Sequence, residues 1–261
     1  HGVHAMVAFN YRRVPAVALA RQLVQQGRIG QVRQVRASYL QDWLVDPEYP
    51  LVWRLQAERA GSGALGDLGA HVVDLAQFVT GERLCGVSGL TETFVRDRPL
   101  PDSSGRGPVT VDDAAMFLGR FSGGAMASFE ATRMATGRKN SVRLEVNGSA
   151  GSLAFDLESM NELSFFDAAE DPGTAGFRRI LVTEPTHPYA GAWWPPGHLL
   201  GYEHTFTHEI ADLVRDLAAG TDPAPSFADG LQVQLVLDAV ARSASAGSGW
   251  ASVPVGTEED A

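Results

Sequence analysis

Apolar residues recur with a helical period and with a strand period in the first third of the chain. Pro15 opens a helical pattern that stops at Gly27, and a second helix is predicted from about residue 64 to Thr80. Residues 32–43 alternate as in a long strand, and the short apolar run 6–10 predicts another strand before the first helix. The order predicted here is therefore strand, helix, strand and helix.

The middle of the chain is a succession of strand patterns separated by turn residues such as Asn147-Gly148-Ser149. Strands with such short connections pair mostly in antiparallel fashion. Two helical patterns follow at 204–219 and 228–246, and they would cover one face of the sheet. The pattern predicts an α+β fold with a large, mostly antiparallel, open sheet and helices packed on one face. Strands are expected near residues 86–96, 110–121, 125–132, 141–147, 151–156, 162–167 and 177–184.

The charge balance excludes several classes of partner. The chain has 261 residues, with 31 acidic against 21 basic side chains and a net charge of -10. Such a surface repels nucleic acid and anionic lipid. The single cysteine, Cys85, excludes an internal disulfide framework, and no apolar run reaches membrane-spanning length. Because the first residues do not resemble a secretory signal either, we expect a cytoplasmic protein.

The stretch Gly61-Ser62-Gly63-Ala64-Leu65-Gly66 matches the G-x-G-x-x-G pattern of dinucleotide-binding loops. Such a loop follows a buried strand and opens a helix within a βαβ unit. Residues 54–60 are polar and show no strand pattern, and no βαβ unit follows. We therefore interpret the match as fortuitous and not as a pyrophosphate site.

The helix after these glycines carries a polar stripe. At about 100° per residue, Asp67, His71, Asp74 and Phe78 fall on one line beside the apolar face. Asp67 and His71 are neighbours at i,i+4, and a carboxylate beside an imidazole orients the ring and raises its pKa. That pair is suited to accept a proton near neutral pH. An exposed Asp/His pair without chemistry explains the spacing equally well.

Four segments together resemble the Gfo/Idh/MocA family of NAD(P)-dependent sugar and cyclitol oxidoreductases. The likeness extends from about residue 1 to residue 254, and its most specific part is AGSGALGDLGAH at 60–71. The four segments are residues 6–55, 60–82, 145–156 and 193–210.

The resemblance implies a domain organisation, because family members place a Rossmann domain first and a sheet domain second. Residues 1–27 would be the remnant of the dinucleotide-binding domain, with a late strand and a connecting helix. Residues 28–261 would be the substrate-binding and oligomerisation sheet domain. The family's Glu-Lys-Pro lysine would lie before His1, and Lys139, the only lysine, stands in no such motif. The complete enzyme would use NAD or NADP, and this chain alone is expected to be inactive.

The family's acid–base element maps onto Gly63 to His71, which puts Asp67 and His71 at the catalytic positions. In the implied reaction His71 takes the proton of a ring hydroxyl as the carbon gives hydride to the nicotinamide, and Asp67 orients the imidazole. The substrate would be a sugar, an anhydrosugar or a cyclitol. Family members commonly pair through the sheet, so a homo-oligomer is expected as well.

Further substrate contacts are expected from the long strand and the loop behind it. Tyr39, Gln41 and Trp43 share one strand face and are candidates for the wall of the sugar pocket, with sheet packing as the alternative. Arg54 lies just before the glycines and is a candidate to hold a hydroxyl or a carboxylate, with a surface ion pair as the alternative.

Two residues near the start are candidates for contact with the cofactor. Asn10 and Arg12 end the first predicted strand, where family members approach the dinucleotide. A turn residue and a solvated charge explain them as simply.

His204 and His208 suggest a rival function, because their i,i+4 spacing on a helix suits metal ligands and Glu209 follows directly. Together with Asp67 and His71 they would form the site of a zinc or iron hydrolase. Helical histidine pairs also cap and pack, and the H-E-x-x-H order is absent. We therefore expect no metal and count His204 among the substrate contacts. A non-catalytic sugar-binding or structural subunit is the third hypothesis.

Overall fold

A computed structural model of the chain describes residues 3–101 and 104–254. Residues 1, 2 and 255–261, at the outer ends of the two predicted domains, lie outside this range. Its helices are α1 (Pro15–Gln25), α2 (Ala57–Ala60), α3 (Ala70–Thr80), α4 (Glu203–Ala219) and α5 (Phe227–Ser245), with 3₁₀ turns at Asn10–Arg13, Trp53–Leu55, Leu157–Ser159 and Ala190–Ala192 and a π-helical turn at Leu65–Gly69. Its strands are β1 (Val32–Leu40), β2 (Leu84–Glu92), β3 (Asp97–Pro99), β4 (Arg106–Pro108), β5 (Ala114–Phe121), β6 (Met126–Thr132), β7 (Ser141–Gly148), β8 (Gly151–Asp156), β9 (Glu162–Asp167), β10 (Arg178–Leu181) and β11 (Ala251–Ser252).

In the described part of the chain, nine strands form one sheet in the order β10-β9-β8-β7-β1-β6-β5-β2-β11. β1 and β6 run parallel, with Ala37 opposite Phe129, and every other neighbouring pair is antiparallel. β3 and β4 form a separate hairpin. The predicted large, mostly antiparallel sheet is therefore confirmed.

Helices cover one face of this sheet, as the sequence predicts. The apolar stripes of α1, α3 and α5 join the inward strand residues in a single core that extends from Phe9 to Val253. Leu23 of α1, Val72 of α3 and Val236 of α5 are all buried in it. On the other face, the side chains of Arg36, Arg143 and Glu145 remain between 41% and 47% exposed, so this face is open and charged.

Helix α4 does not cover the sheet, which corrects part of the prediction. It packs against the Asn10–Arg13 turn, where Thr205 Oγ1 accepts a hydrogen bond from Asn10 Nδ2 at 2.9 Å. The periodic pattern predicts the helix and its buried stripe, but the partner of that stripe is set by residues almost two hundred positions earlier. Only α5 of the two C-terminal helices lies against the strands.

The strand predicted over residues 6–10 is wrong. Residues 3–9 have no regular structure, and Asn10–Arg13 form a 3₁₀ turn. A strand needs a neighbouring strand for its backbone hydrogen bonds, whereas here the backbone N–H of Val7 donates to the carbonyl of Pro225 at 2.9 Å. The apolar run is only partly buried, with Ala8 exposed and Phe9 buried, and its bond to this loop leaves it on an irregular path.

The boundary expected at residue 27 does not coincide with a break in the core. Leu19 and Leu23 of α1 belong to the same cluster as Phe165 of β9 and Val73 of α3. In the described residues, α1 is therefore part of the sheet domain by packing. A separate origin of residues 1–27 stays a prediction.

None of the helices within residues 3–101 and 104–254 combines the length and the apolar character that a membrane crossing requires.

Candidate active site

The glycine-rich loop is held by a carboxylate from the neighbouring strand connection. Asp112 accepts hydrogen bonds from the backbone N–H groups of Gly63 and Leu65, each at 2.7 Å. The backbone carbonyl of Asp112 also accepts the N–H of Ala64 at 3.1 Å. These amides are the groups that would bind a phosphate at a helix N-terminus. The Asp112 carboxylate therefore occupies the position that a phosphate would take. This supports the interpretation of the G-x-G-x-x-G match as fortuitous.

The residues after this loop do not form a regular α-helix at first. Leu65–Gly69 make a π-helical turn before α3 begins at Ala70. A π turn contains an extra residue relative to an α turn and is often found at functional sites. Asp67, the first residue of the predicted polar stripe, is consequently turned out of line with the residues that follow it. Asp67 is 42% exposed, whereas Asp74 is only 1% exposed.

His71 lies in a cage of aromatic rings on the inner side of α3. Its ring centroid is 5.1 Å from that of Tyr11, 5.9 Å from that of Phe9 and 6.0 Å from that of Tyr39, each in an edge-on arrangement. Nδ1 is buried and has no hydrogen-bond partner within the described chain, although the residue as a whole is partly exposed. The ring therefore reaches the surface through its Nε2 edge.

Burial lowers the pKa of His71 below its usual value, and the nearby Asp67 carboxylate opposes this effect without cancelling it. The expected rise of the pKa is therefore wrong. An apolar cage disfavours the imidazolium more strongly than one half-exposed carboxylate favours it. The imidazole is neutral at physiological pH and can accept a proton.

Asp67 contacts a cation and not the imidazole. Its Oδ2 lies 3.7 Å from Nη1 of Arg133, and no hydrogen bond joins it to His71 among the described residues. Arg133 is 1% exposed, donates from Nη2 to the carbonyl of Asp112 at 2.9 Å and lies over the Trp43 ring at 5.4 Å. Asp67 can therefore act on His71 through its charge, while Arg133 fixes the carboxylate.

A chain of hydrogen bonds connects the aromatic cage to the strand residues that the sequence singles out. The hydroxyls of Tyr11 and Tyr39 lie 2.8 Å apart, and Tyr39 donates to Asn140 Oδ1 at 2.7 Å. Gln41 Nε2 also donates to that oxygen, at 2.9 Å, and Trp43 Nε1 donates to Gln41 Oε1 at 2.9 Å. Burial raises the pKa of Tyr39 to about 12, so this phenol keeps its proton. Tyr39, Gln41 and Trp43 thus form one continuous polar wall.

A cleft of about 470 Å³ opens on the outer side of the same turn. Asp67 and Arg133 line it together with Arg54, whose guanidinium stacks on Trp53 at 4.6 Å. The structure thus places Arg54 beside Asp67, and this exposed side chain is free to meet a ligand at the rim.

The two residues expected to contact the cofactor, Asn10 and Arg12, form hydrogen bonds inside the protein. Asn10 is buried against Thr205, and Arg12 Nε donates to Asp74 Oδ2 at 2.9 Å. Burial raises the pKa of Asp74 to about 6, and Arg12 opposes that rise. Both side chains therefore have structural roles in this chain, and their role in cofactor binding stays a prediction.

The histidine pair on α4 does not form a metal site. Trp193 Nε1 donates to His208 Nε2 at 2.7 Å, so Nδ1 carries the proton and donates to the carbonyl of Arg13 at 3.0 Å. His204 Nδ1 accepts the backbone N–H of Gly201 at 3.0 Å. With both nitrogens of His208 used, the metal-hydrolase hypothesis is wrong. The described residues also contain no cluster of His, Cys, Asp or Glu that could hold a metal ion.

The sequence does not reveal four residues that organise this site. They come from separate elements, and their only sequence signal is a polar residue beside a predicted strand or turn. Their side chains meet through the sheet register, which the local pattern does not determine. These residues are Tyr11, Asp112, Arg133 and Asn140.

Comparison with known proteins identifies the class of this fold and site. The sequence profile of the GFO/IDH/MocA C-terminal domain matches residues 17–154, which is more than half of the chain. The chain therefore belongs to the Gfo/Idh/MocA family.

Its relatives include levoglucosan dehydrogenase from Pseudarthrobacter phenanthrenivorans, which is 44% identical over 95% of this chain and 66% of its own length. A crystal structure of an oxidoreductase domain protein from Kribbella flavida is 66% identical and superposes with a TM-score of 0.94 over 97% of this chain and 67% of that one. Levoglucosan dehydrogenase in complex with NADH and levoglucosan is 45% identical, with a TM-score of 0.91 over 97% of this chain and 67% of that one. The chain spans about two thirds of the length of these relatives.

Proposed function

We propose that the chain is the polyol-binding and proton-accepting part of an NAD(P)-dependent oxidoreductase that oxidises a hydroxyl of a sugar, an anhydrosugar or a cyclitol. One observation carries the proposal. A neutral imidazole, His71, reaches the surface between a carboxylate and a wall of hydroxyl and amide groups. Polyols are recognised by such polar groups next to aromatic faces. The activity of levoglucosan dehydrogenase, a relative over most of the chain, supports the same assignment.

The proposed reaction uses His71 as the general base. Because Nε2 is the nitrogen that reaches the surface, it must carry the lone pair that accepts the substrate proton, and the productive neutral tautomer therefore has its own proton on Nδ1. The imidazolium that results is stabilised by the charge of Asp67. Arg133 keeps that carboxylate at the edge of the cleft. A nicotinamide, when bound, would accept the hydride from the same carbon.

The described residues do not fit a dinucleotide cradle of their own. The amides of the glycine loop are bonded to Asp112, and Asn10 and Arg12 are bonded within the core. We infer that most of the cofactor is held by a dinucleotide-binding domain outside the described residues. About a third of the length of these relatives is not matched by this chain, which leaves room for such a domain.

The proposal is tested by assaying the full-length protein with NAD⁺ and NADP⁺ against levoglucosan, myo-inositol and L-sorbose. Reduction of either dinucleotide that depends on the polyol is the expected result. Absence of turnover with every polyol, in a preparation that binds the dinucleotide, would contradict it.

A non-catalytic sugar-binding subunit is the alternative, and one observation favours it. The amides of the glycine loop are bonded to Asp112, so this loop of the described residues offers polar groups to a sugar but no cradle to a dinucleotide. Saturable polyol binding without any dinucleotide reduction by the full-length protein would support this alternative.

We also propose that the open face of the sheet pairs with a second copy of the chain. Its Arg36 and Glu145 side chains form an ion pair at 3.2 Å, so the face carries both signs of charge and can be self-complementary. Light scattering that gives a monomer mass at micromolar concentration would contradict this assembly.

A further inference from the structure

Asn140 lies at the end of the loop before β7 and accepts two hydrogen bonds of the polar wall. Its Oδ1 receives the Tyr39 hydroxyl at 2.7 Å and Gln41 Nε2 at 2.9 Å, and its Nδ2 donates to the Tyr11 oxygen at 3.4 Å. Its side chain is thus hydrogen-bonded to all three of these residues. Its amide therefore determines the direction of the bonds around it.

The phenol protons are assigned by this contact. A carbonyl oxygen cannot donate, so the single hydroxyl proton of Tyr39 points to Asn140. The 2.8 Å contact between the two phenols must then use the proton of Tyr11. The hydroxyl protons of Tyr11 and Tyr39, next to His71, are consequently both used in hydrogen bonds within the protein.

The amide of Gln41 is fixed in the same way. Its Nε2 donates to Asn140 Oδ1 and, at 3.3 Å, to the Tyr39 oxygen. Its Oε1 must then face Trp43, whose indole N–H it accepts at 2.9 Å. The orientation of Gln41 thus follows from the carbonyl of Asn140.

The acceptor of this wall that a ligand can reach is Gln41 Oε1. The donors of Tyr39, Gln41 and Trp43 are used and Tyr11 is only 2% exposed, whereas Gln41 is partly exposed and its Oε1 keeps a second lone pair. A hydroxyl can donate to this oxygen, but an ether oxygen in the same place meets only a lone pair. The cost of such an unpaired contact is about tenfold or more in affinity.

We propose that Asn140 is a positioning residue that makes this wall accept hydrogen bonds, so that the substrate is selected for free hydroxyl groups beside the reacting carbon. This inference rests on the function proposed above and specifies its substrate class. A polyol with unmodified neighbouring hydroxyls is bound, and its O-methyl ether at those positions is discriminated against. Asn140 acts through Tyr11, Gln41 and Tyr39 and need not touch the substrate.

The test compares levoglucosan with its mono-O-methyl ethers as substrates of the full-length protein. For the wild type, kcat/KM should fall by about tenfold or more for at least one ether. Asn140→Leu removes every polar contact of the side chain. It should raise KM for levoglucosan by about tenfold while kcat changes by less than about threefold. It should also reduce the ratio of kcat/KM between levoglucosan and its ethers. Equal kcat/KM for levoglucosan and all its ethers in the wild type would overturn the proposal whatever the variants do.

Asn140→Asp is the second variant, because it keeps the oxygen for Tyr39 and Gln41 and loses only the donor to Tyr11. It should show a smaller rise in KM than Asn140→Leu and retain the discrimination against ethers. Lys139→Gln, an exposed neighbour in the same loop, should behave as the wild type and controls for changes in the loop. A well-folded Asn140→Leu protein with unchanged KM and unchanged discrimination would overturn the role of Asn140.

Failure of this inference differs from failure of the proposed function. If the wild type neither binds nor oxidises any of the polyols, the proposed function is wrong and this inference fails with it. If the wild type is active and His71→Ala is not, the proposed function stands, and the wild-type comparison of levoglucosan with its ethers and the Asn140 variants decide this inference. Titration of levoglucosan into the protein, followed by the fluorescence of Trp43 and the other tryptophans, gives affinities that do not depend on turnover.

Discussion

The carboxylate of Asp112 binds the backbone amides of Gly63 and Leu65 and so occupies the anion site of the glycine-rich turn. The turn resembles a nucleotide loop in sequence, but its function here is to start the helix that carries Asp67 and His71. The loop packs tightly against the Asp112 segment. A Cβ on Gly63 would lie 1.7 Å from the carbonyl oxygen of Asp112 and 2.5 Å from Nη2 of Arg133.

Gly63→Ala should therefore destabilise the protein. The clash is with backbone, which can relieve it only by shifting the turn, so we expect a loss of about 1–3 kcal/mol in the free energy of unfolding. Gly176→Ala is the matched control, because a Cβ there meets nothing within 4 Å, and it should change stability by less than about 0.5 kcal/mol. Urea unfolding of the two variants makes the comparison. Equal stabilities would show that the turn is not packed as described.

Arg133 is expected to contribute more to stability than an exposed arginine of the same cleft. Arg133→Met removes a buried charged hydrogen bond to the carbonyl of Asp112, which then keeps the N–H of Ala64 as its donor, and this loss costs about 1–3 kcal/mol. Arg54→Met removes only a stacked surface cation and should cost less than about 0.5 kcal/mol. The difference between the two unfolding free energies checks the assignment. A smaller effect at Arg133 than at Arg54 would contradict its buried role.

The pH dependence of the reaction should reflect the lowered pKa of His71. The base works when it is neutral, so kcat/KM should fall as the pH drops through a value below 6.5, the usual pKa of the residue. Tyr11 and Tyr39, which also face the ring, keep their protons throughout this range because burial raises the pKa of each. Among the groups that face it, Asp67 alone raises the pKa of His71.

Asp67→Asn should accordingly move the acid limb of kcat/KM to lower pH and reduce kcat by about tenfold at pH 7, because the imidazolium loses its counter-charge. Asp238→Asn, which removes a carboxylate from the same cleft, should leave the limb in place. A limb that moves to higher pH in Asp67→Asn would show that the carboxylate does not act on His71 as inferred.

The elements with strong periodicity could be predicted from the sequence because their hydrophobic faces determine them locally. Helix α1, the strands from β5 to β9 and helix α5 agree with the predicted ranges to within a few residues. The run 6–10 fails because the pattern of a buried strand is also that of any buried extended segment. Pairing partners lie elsewhere in the chain and leave no local signal.

The candidate site could be predicted in part for the same reason. Asp67 and His71 stand out by spacing, but the π-helical turn that contains Asp67 is not encoded in a recognisable pattern, and in it Asp67 lies beside Arg133. The lowered pKa of His71 depends on rings from two other elements, Tyr11 and Tyr39. Asn140 reaches the site only because β7 pairs with β1, with Ser141 opposite Leu40.

The role of His71 as proton acceptor is the claim on which the proposed function depends most, and His71→Ala in the full-length protein tests it directly. We expect kcat for the preferred polyol to fall by about 100-fold or more, while the dissociation constant of NAD(P)H changes by less than about threefold. Unchanged turnover, or a loss of dinucleotide affinity large enough to explain the loss of turnover, would contradict it.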